Sequence, residues 1–198
     1  LINQIIPWLH GSLPFFSHME EIEINVSPEE GRGILILHPV SSPPEMERGI
    51  TDFLQNHPLL KGIAVAQKGK PSLFGRPDLD VTVSFQKNGQ TENVKLRSSP
   101  ESFFQIHLEQ NQRLIQTVIE LGAVKQGEKV LDLYAGIGNF TLPLASYTQD
   151  VTGVEENRTA VKDARNNALA NGIEGCRFIH GKVEDVLKSA PMGKPDVI

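Results

Sequence analysis

Residues 130–155 constrain the fold more than any other stretch. Val130-Leu-Asp-Leu133 is an apolar run of strand length that opens directly into Tyr134-Ala-Gly-Ile-Gly138. A helical segment, Phe140 to Ser146, follows, and then a second short apolar run, Val151-Thr-Gly-Val154. Strand, glycine turn, helix and strand in such close succession describe two parallel strands joined by a crossover helix. The alternation continues downstream. Thr159 to Ala170 carries Ala160, Val161, Ala164 and Ala168 on one helical face and stops at Asn171-Gly172. Cys176 to Ile179 reads as a third strand, Val183 to Lys188 as a third helix, and Asp196-Val-Ile198 as the start of a fourth strand. Upstream, Leu108 to Leu121 places Leu114, Ile115, Val118 and Leu121 at helical spacing, with Gly122 to end it. The expectation for residues 97–198 is the first part of a Rossmann-like α/β domain, its parallel sheet unfinished at Ile198.

The residues before it are organised differently. Ile22 to Val26 alternates as a half-buried strand, Pro28 to Gly33 reads as a turn, and Ile34 to Leu37 as the returning strand. Ser41-Ser-Pro-Pro44 ends this hairpin. Glu45 to Gln55 has Met46, Ile50, Phe53 and Leu54 on one helical side. Ile63 to Ala66 and Val81 to Phe85 are further strands, and Asn88-Gly89 is a strong hairpin turn leading into Asn93 to Leu96. Residues 1–96 are therefore expected to form a small α+β domain ahead of the parallel sheet.

The glycine turn carries chemistry. Gly136-x-Gly138 lets the main chain turn sharply and leaves no Cβ between it and a ligand. Glu155 ends the next strand, so its carboxylate lies beside the loop at the carboxyl edge of the sheet, where it can accept both hydroxyls of a ribose. Dinucleotide sites want a third small residue three positions after the second glycine, and Thr141 stands there instead. Asp132 would repel a pyrophosphate but suits the ammonium and sulfonium of S-adenosylmethionine. Together these residues favour that methyl donor over a dinucleotide.

Composition limits the other classes. No run of about 18 apolar residues suggests a membrane span, and no secretory signal is visible. The single Cys176 excludes an internal disulfide and suits a reducing cytoplasmic setting, and the six histidines show no metal-ligand spacing. Net charge is -5 and is spread over both halves, which does not suit binding nucleic acid by bulk charge alone. Lys61, Lys68, Lys70 and Arg76, with Phe74 among them, form a basic stretch that reads either as a track for an RNA backbone or as an ordinary solvated hairpin.

Ser102-Phe-Phe-Gln-Ile106, the helix after it, the run Val130 to Leu142 and then Gly153-Val-Glu155 together resemble the RNA uracil-5-methyltransferases, which form 5-methyluridine in transfer or ribosomal RNA. The glycine loop is shared by many methyltransferases; the Ser-Phe-Phe-Gln stretch one helix upstream is far more specific. The resemblance covers residues 96–198 clearly and extends more weakly to the first half, as that family's central α+β domain in contact with RNA. It implies a class I S-adenosylmethionine-dependent methyltransferase fold. It also implies cofactor contacts from Gln105, Tyr134, Asn139 and Lys182 besides Asp132, Gly136, Gly138 and Glu155, and places Phe103 where a ring could stack on a flipped base.

The family adds a cysteine thiolate to carbon 6 of uracil so that carbon 5 becomes nucleophilic, and a base later removes the carbon 5 proton. By the resemblance that cysteine and base lie beyond Ile198, after an Asp-Pro-Pro-Arg-like turn, so no catalytic residue is expected within residues 1–198, and the segment alone is expected to be inactive. Cys176 begins a strand far from that position and reads as a small buried residue. No cysteine cluster for an iron–sulfur centre is present, although some members carry one. Two other readings stay open: a methyltransferase acting on a small molecule or protein, and a noncatalytic module binding RNA or protein.

Overall fold

The computed structural model describes residues 2–11, 16, 18–41, 46–67, 70–105, 107–189 and 193–198. It falls into two compact units, Leu1–Asp80 and Val81–Ile198.

The first unit contains α1 (Ile2–Gly11), β1 (Met19–Ser27), β2 (Arg32–Pro39), α2 (Met46–Asn56), β3 (Leu60–Val65) and β4 (Ser72–Gly75). Its sheet has the order β1-β2-β3-β4. The expected hairpin is present as the antiparallel β1–β2 pair, with Ile24 opposite Leu35. Strand β3 then runs parallel to β2, with α2 as the crossover, and β4 turns back antiparallel to β3. Met46, Ile50 and Phe53 of α2 join Leu35, Leu37 and Ile63 in the core, as their spacing requires. Helix α1 and strand β4 were not anticipated. The turn expected at residues 41–44 lies, apart from Ser41, outside the described residues.

Among the described residues of the basic stretch, Lys61 is not part of an open surface. Lys61 is on β3 with its side chain almost fully covered, and its Nζ lies 2.6 Å from Oε1 of Glu30. Arg76 lies 3.8 Å from Asp78, Phe74 packs on the core, and Lys68 is outside the described residues. Sequence spacing showed no acid between the cations; the fold brings one from the β1–β2 turn and another from just past β4.

The second unit contains β5 (Leu79–Lys87), β6 (Gln90–Ser98), α3 (Leu108–Gly122), β7 (Val130–Leu133), α4 (Thr141–Leu144), β8 (Val151–Glu155), α5 (Arg158–Ala170), β9 (Cys176–His180) and α6 (Val183–Ser189). Asn88 and Gly89 both have positive φ, as the turn between β5 and β6 demands. Val81, Val83, Phe85, Val94 and Leu96 of this hairpin share one core with Ile115, Ile119, Leu142 and Ala164. The division between units therefore falls before the hairpin, not at residue 96: the alternating apolar face of β5 and β6 is buried in the second core.

Strands β7, β8 and β9 are parallel and adjacent in that order. Val197 makes a parallel bridge to Val130 on the other flank of β7, and the Leu131 N–H donates to its carbonyl at 3.0 Å. The chain thus moves outward from β7 to β9 and returns to the opposite side of β7. That reversal is the topological switch point of a Rossmann-like sheet, and ligands bind outside the strand ends there.

Helix α3 turns a different face inward from the one read in the sequence. Asn111, Ile115 and Ile119 are buried, while Leu114 and Leu121 are exposed. The helix carries two apolar stripes, and the spacing of Leu114 and Leu121 points to the one that the fold leaves outside. It closes at Ala123, left-handed at φ 43°, whose N–H donates to the Ile119 carbonyl.

Candidate functional site

The carboxyl edge of β7, β8 and β9 collects the loop residues. At the end of β7, Tyr134 takes a left-handed φ of 61° and is largely exposed. Such a backbone is uncommon for a bulky residue and concentrates at ligand sites. Gly136 (φ 55°) and Gly138 (φ 94°) follow. A Cβ on Gly136 would meet nothing within 4 Å, so the main chain there is open to a ligand. A Cβ on Gly138 would press on Leu142 at 3.0 Å, so that glycine serves the packing of the loop on α4 as well.

Glu155 reaches back to this loop. Its Oε2 accepts the Gly136 N–H at 2.9 Å and its Oε1 accepts the Asn157 N–H at 2.7 Å. The carboxylate is held by two main-chain donors and keeps lone pairs on both oxygens for further donors. Asn157 is the N-cap of α5 and accepts from the Thr159 and Ala160 N–H groups.

Asp132 is one residue from the end of β7. Its carboxylate accepts the Thr141 hydroxyl at 2.5 Å. Burial pushes it up to about 6, against the hydrogen bonds from Thr141, with a smaller upward push from the Glu155 charge. It therefore titrates just below neutral pH and is ionised above it. Asn139 is engaged by a residue not read from the sequence: its amide and that of Asn111 on α3 exchange hydrogen bonds of 2.7 and 2.9 Å. Asn111 could have been flagged as a polar residue in the Ile115–Ile119 register.

Phe103 is 72% exposed. Gln105 is exposed too, whereas Phe104, between them, packs on the core. Lys182 is exposed in the turn between β9 and α6. Tyr134, Gly136, Gly138, Glu155 and Lys182 therefore all follow or end strands on one edge of the sheet, with Asp132 immediately behind. Phe103 and Gln105 come from the segment between β6 and α3. An apolar cleft of about 650 Å³, with Val118, Leu121, Leu133, Phe140 and Val197 among its walls, runs along β7. It touches Asp132 but neither the glycines nor Glu155, so it is distinct from the polar edge.

Cys176 starts β9, at the amino end of a strand, and burial pushes its thiol up, away from the thiolate a nucleophile needs. Among the described residues no three His, Cys, Asp or Glu side chains gather as a metal site, and no helix is long and apolar enough to cross a membrane.

Comparison with known proteins places this arrangement. Residues 76–193 match the family model described as tRNA (Uracil-5-)-methyltransferase. A 23S rRNA (uracil(1939)-C(5))-methyltransferase of Klebsiella pneumoniae is 28% identical over 91% of this chain and 39% of its own length. The corresponding enzyme of Shewanella sp. strain ANA-3 is 39% identical over 55% of this chain and 24% of its own. Among solved structures, the tRNA (uracil-54, C5)-methyltransferase of Pyrococcus abyssi, in complex with S-adenosyl-L-homocysteine, shares the fold. It has a TM-score of 0.58 at 21% identity, covering 81% of this chain and 38% of that one. The chain spans well under half the length of each of these relatives. With the matched model covering the hairpin, the glycine loop and the whole parallel sheet as far as α6, this chain belongs to the tRNA (uracil-5-)-methyltransferase family, on a Rossmann-like methyltransferase fold.

Proposed function

We propose that these residues form the cofactor-binding part of an S-adenosylmethionine-dependent enzyme that methylates carbon 5 of a uracil in ribosomal or transfer RNA, acting in the cytoplasm. The observation that carries the reading is the Glu155 carboxylate, tied to the Gly136 N–H beside main chain that no side chain covers. A carboxylate so held suits the two hydroxyls of a ribose, and Asp132, ionised at neutral pH, suits a cationic amino-acid end. When bound, S-adenosylmethionine supplies an electrophilic methyl group on its sulfonium. Tyr134, Asn139, Gln105 and Lys182 would line the same molecule, and Phe103 would stack on a base extruded from its helix. In this reading the protein's own work is to orient the donor, keep its ribose fixed and present an aromatic face to the uracil.

The test uses the full-length protein with S-adenosylmethionine labelled in its methyl group and with ribosomal and transfer RNA. The expected product is 5-methyluridine by nucleoside mass spectrometry, and Glu155→Ala should raise the KM for the donor at least about tenfold, as loss of a charged hydrogen-bonding partner does. Label appearing in a protein or a small molecule and in neither RNA would overturn the proposal.

A further inference from the structure

One face of α5 is occupied by amides and a carboxylate that hold the edge of a strand. Asn171, which closes the helix, accepts the Lys95 N–H at 2.9 Å and donates to the Lys95 carbonyl at 2.7 Å. Asn167 accepts the Arg97 N–H at 2.9 Å and donates to the Arg97 carbonyl at 3.1 Å. Asp163 accepts the Ser99 N–H and the Ser99 hydroxyl, both at 2.9 Å. Each step is four residues of helix against two of strand. Four helical residues rise about 6 Å and two strand residues about 6.6 Å, so the rungs stay in step, and the side chains of α5 pair the edge of β6 as a neighbouring strand would.

The ladder continues into the segment that bears Phe103. Ser102 donates its hydroxyl to Asp163 at 2.7 Å, and Ser98 donates to the Ser102 carbonyl at 3.0 Å. Asn157 donates to the Glu101 carbonyl at 2.8 Å.

Asn167 differs from the other rungs. Its second amide hydrogen goes to the carbonyl of Ile137, between the two loop glycines, at 3.1 Å. Asn167 is 2% exposed, and its amide oxygen and both amide hydrogens are used. Among the described residues, Asn171 and Asp163 show no such bond to the loop.

We infer that Asn167 is a positioning residue: its one amide fixes the glycine loop, which holds the cofactor, in register with β6 and hence with the Ser102–Gln105 segment that presents Phe103 to the base. The inference rests on the function proposed above and adds to it how the donor and acceptor halves of the site are kept at a set separation.

The experiment compares Asn167→Ala with Asn171→Ala in the full-length protein, measuring S-adenosylhomocysteine affinity by calorimetry, kcat and KM for RNA methylation, and melting temperature. Asn171→Ala removes the corresponding pair of bonds to β6, together with a helix-end bond to the Asn167 carbonyl, but no loop bond, and should leave S-adenosylhomocysteine affinity within about twofold. Asn167→Ala should weaken it about tenfold, the effect of one lost buried hydrogen bond, and lower kcat below that of Asn171→Ala. Asn167→Asp keeps an acceptor for Arg97 but has no donor for Ile137, so it should not restore affinity. Equal affinities and equal kcat for the two alanine variants would reduce the ladder to a structural clamp and overturn the inference. Should Asn167→Ala fail to fold, amide exchange in the unmutated protein decides. Added S-adenosylhomocysteine should slow exchange at Arg97 more than at Lys95, and equal slowing overturns the positioning role. Unmutated protein that binds no S-adenosylhomocysteine would refute the cofactor reading itself, a result distinct from binding that both variants leave alike.

Discussion

Asp132→Asn tests whether the site holds a buried charge at a cost to the fold. The carboxyl moves from 3.8 to about 6 on folding, with burial as the main cause. The folded chain therefore binds this proton more tightly than the unfolded chain, and the stability contribution is full below about pH 4. It falls as pH rises between about 4 and 6 and is level above that. Each pKa unit corresponds to about 1.4 kcal/mol, so the ionised carboxylate costs about 3 kcal/mol at pH 7.5. Asparagine has the same shape without the charge. Allowing about 1 kcal/mol for a weaker hydrogen bond from Thr141, the variant should be about 2 kcal/mol more stable at pH 7.5 and no more stable than the parent at pH 4.5. Urea denaturation followed by circular dichroism at the two pH values measures this. A cation held beside the carboxylate lowers its pKa again, so S-adenosylhomocysteine should bind with proton release near pH 6 and bind more weakly to the variant. A variant destabilised equally at both pH values would refute the reasoning, because the carboxylate would then matter for its hydrogen bond and not for its buried charge.

Two further substitutions test the frame around the site. Gly153→Ala places a Cβ 2.8 Å from a ring carbon of Phe178 and 2.9 Å from the Ala135 Cβ, so it should destabilise the protein by about 1–3 kcal/mol in urea titrations. In the first unit, Lys61→Met leaves the Glu30 carboxylate with the Asp80 N–H but without its cation and should lower stability by about 2 kcal/mol, whereas Lys61→Met combined with Glu30→Leu should recover part of the loss; a double variant worse than the sum of the single ones would contradict the ion-pair assignment.

What the sequence made legible was local. The Val130–Gly138 run is readable because strand, turn and approach to a ligand all depend on residues adjacent in the chain, and the glycines sit where positive φ is needed. The Asn88-Gly89 turn is readable for the same reason. Misreadings arose where the deciding partner is distant. The buried face of α3 is set by what the hairpin and sheet offer it, so the spacing of Leu114 and Leu121 pointed inward although Ile119 is the residue that is buried. Lys61 looked like a surface cation because Glu30, which covers it, is 31 residues away. Asp163 and Asn167 are the extreme case. The strand partners of Asn167 are the main-chain groups of Arg97, which every residue of β6 possesses, so nothing in the identity of Arg97 marks the strand as held; Asp163 adds the hydroxyls of Ser99 and Ser102, which serines in a loop do not announce. The only trace lies on the helix, where two polar residues occupy the flank of the Ala160–Ala164–Ala168 stripe. A buried amide without a partner costs about 1–3 kcal/mol, so polar residues in an interior register imply that something unseen pairs with them. Applied to α5, that rule leads from the helix to the edge of β6 and, through Ile137, to the glycine loop, which makes the helix between the strands as much a part of the site as the loop itself.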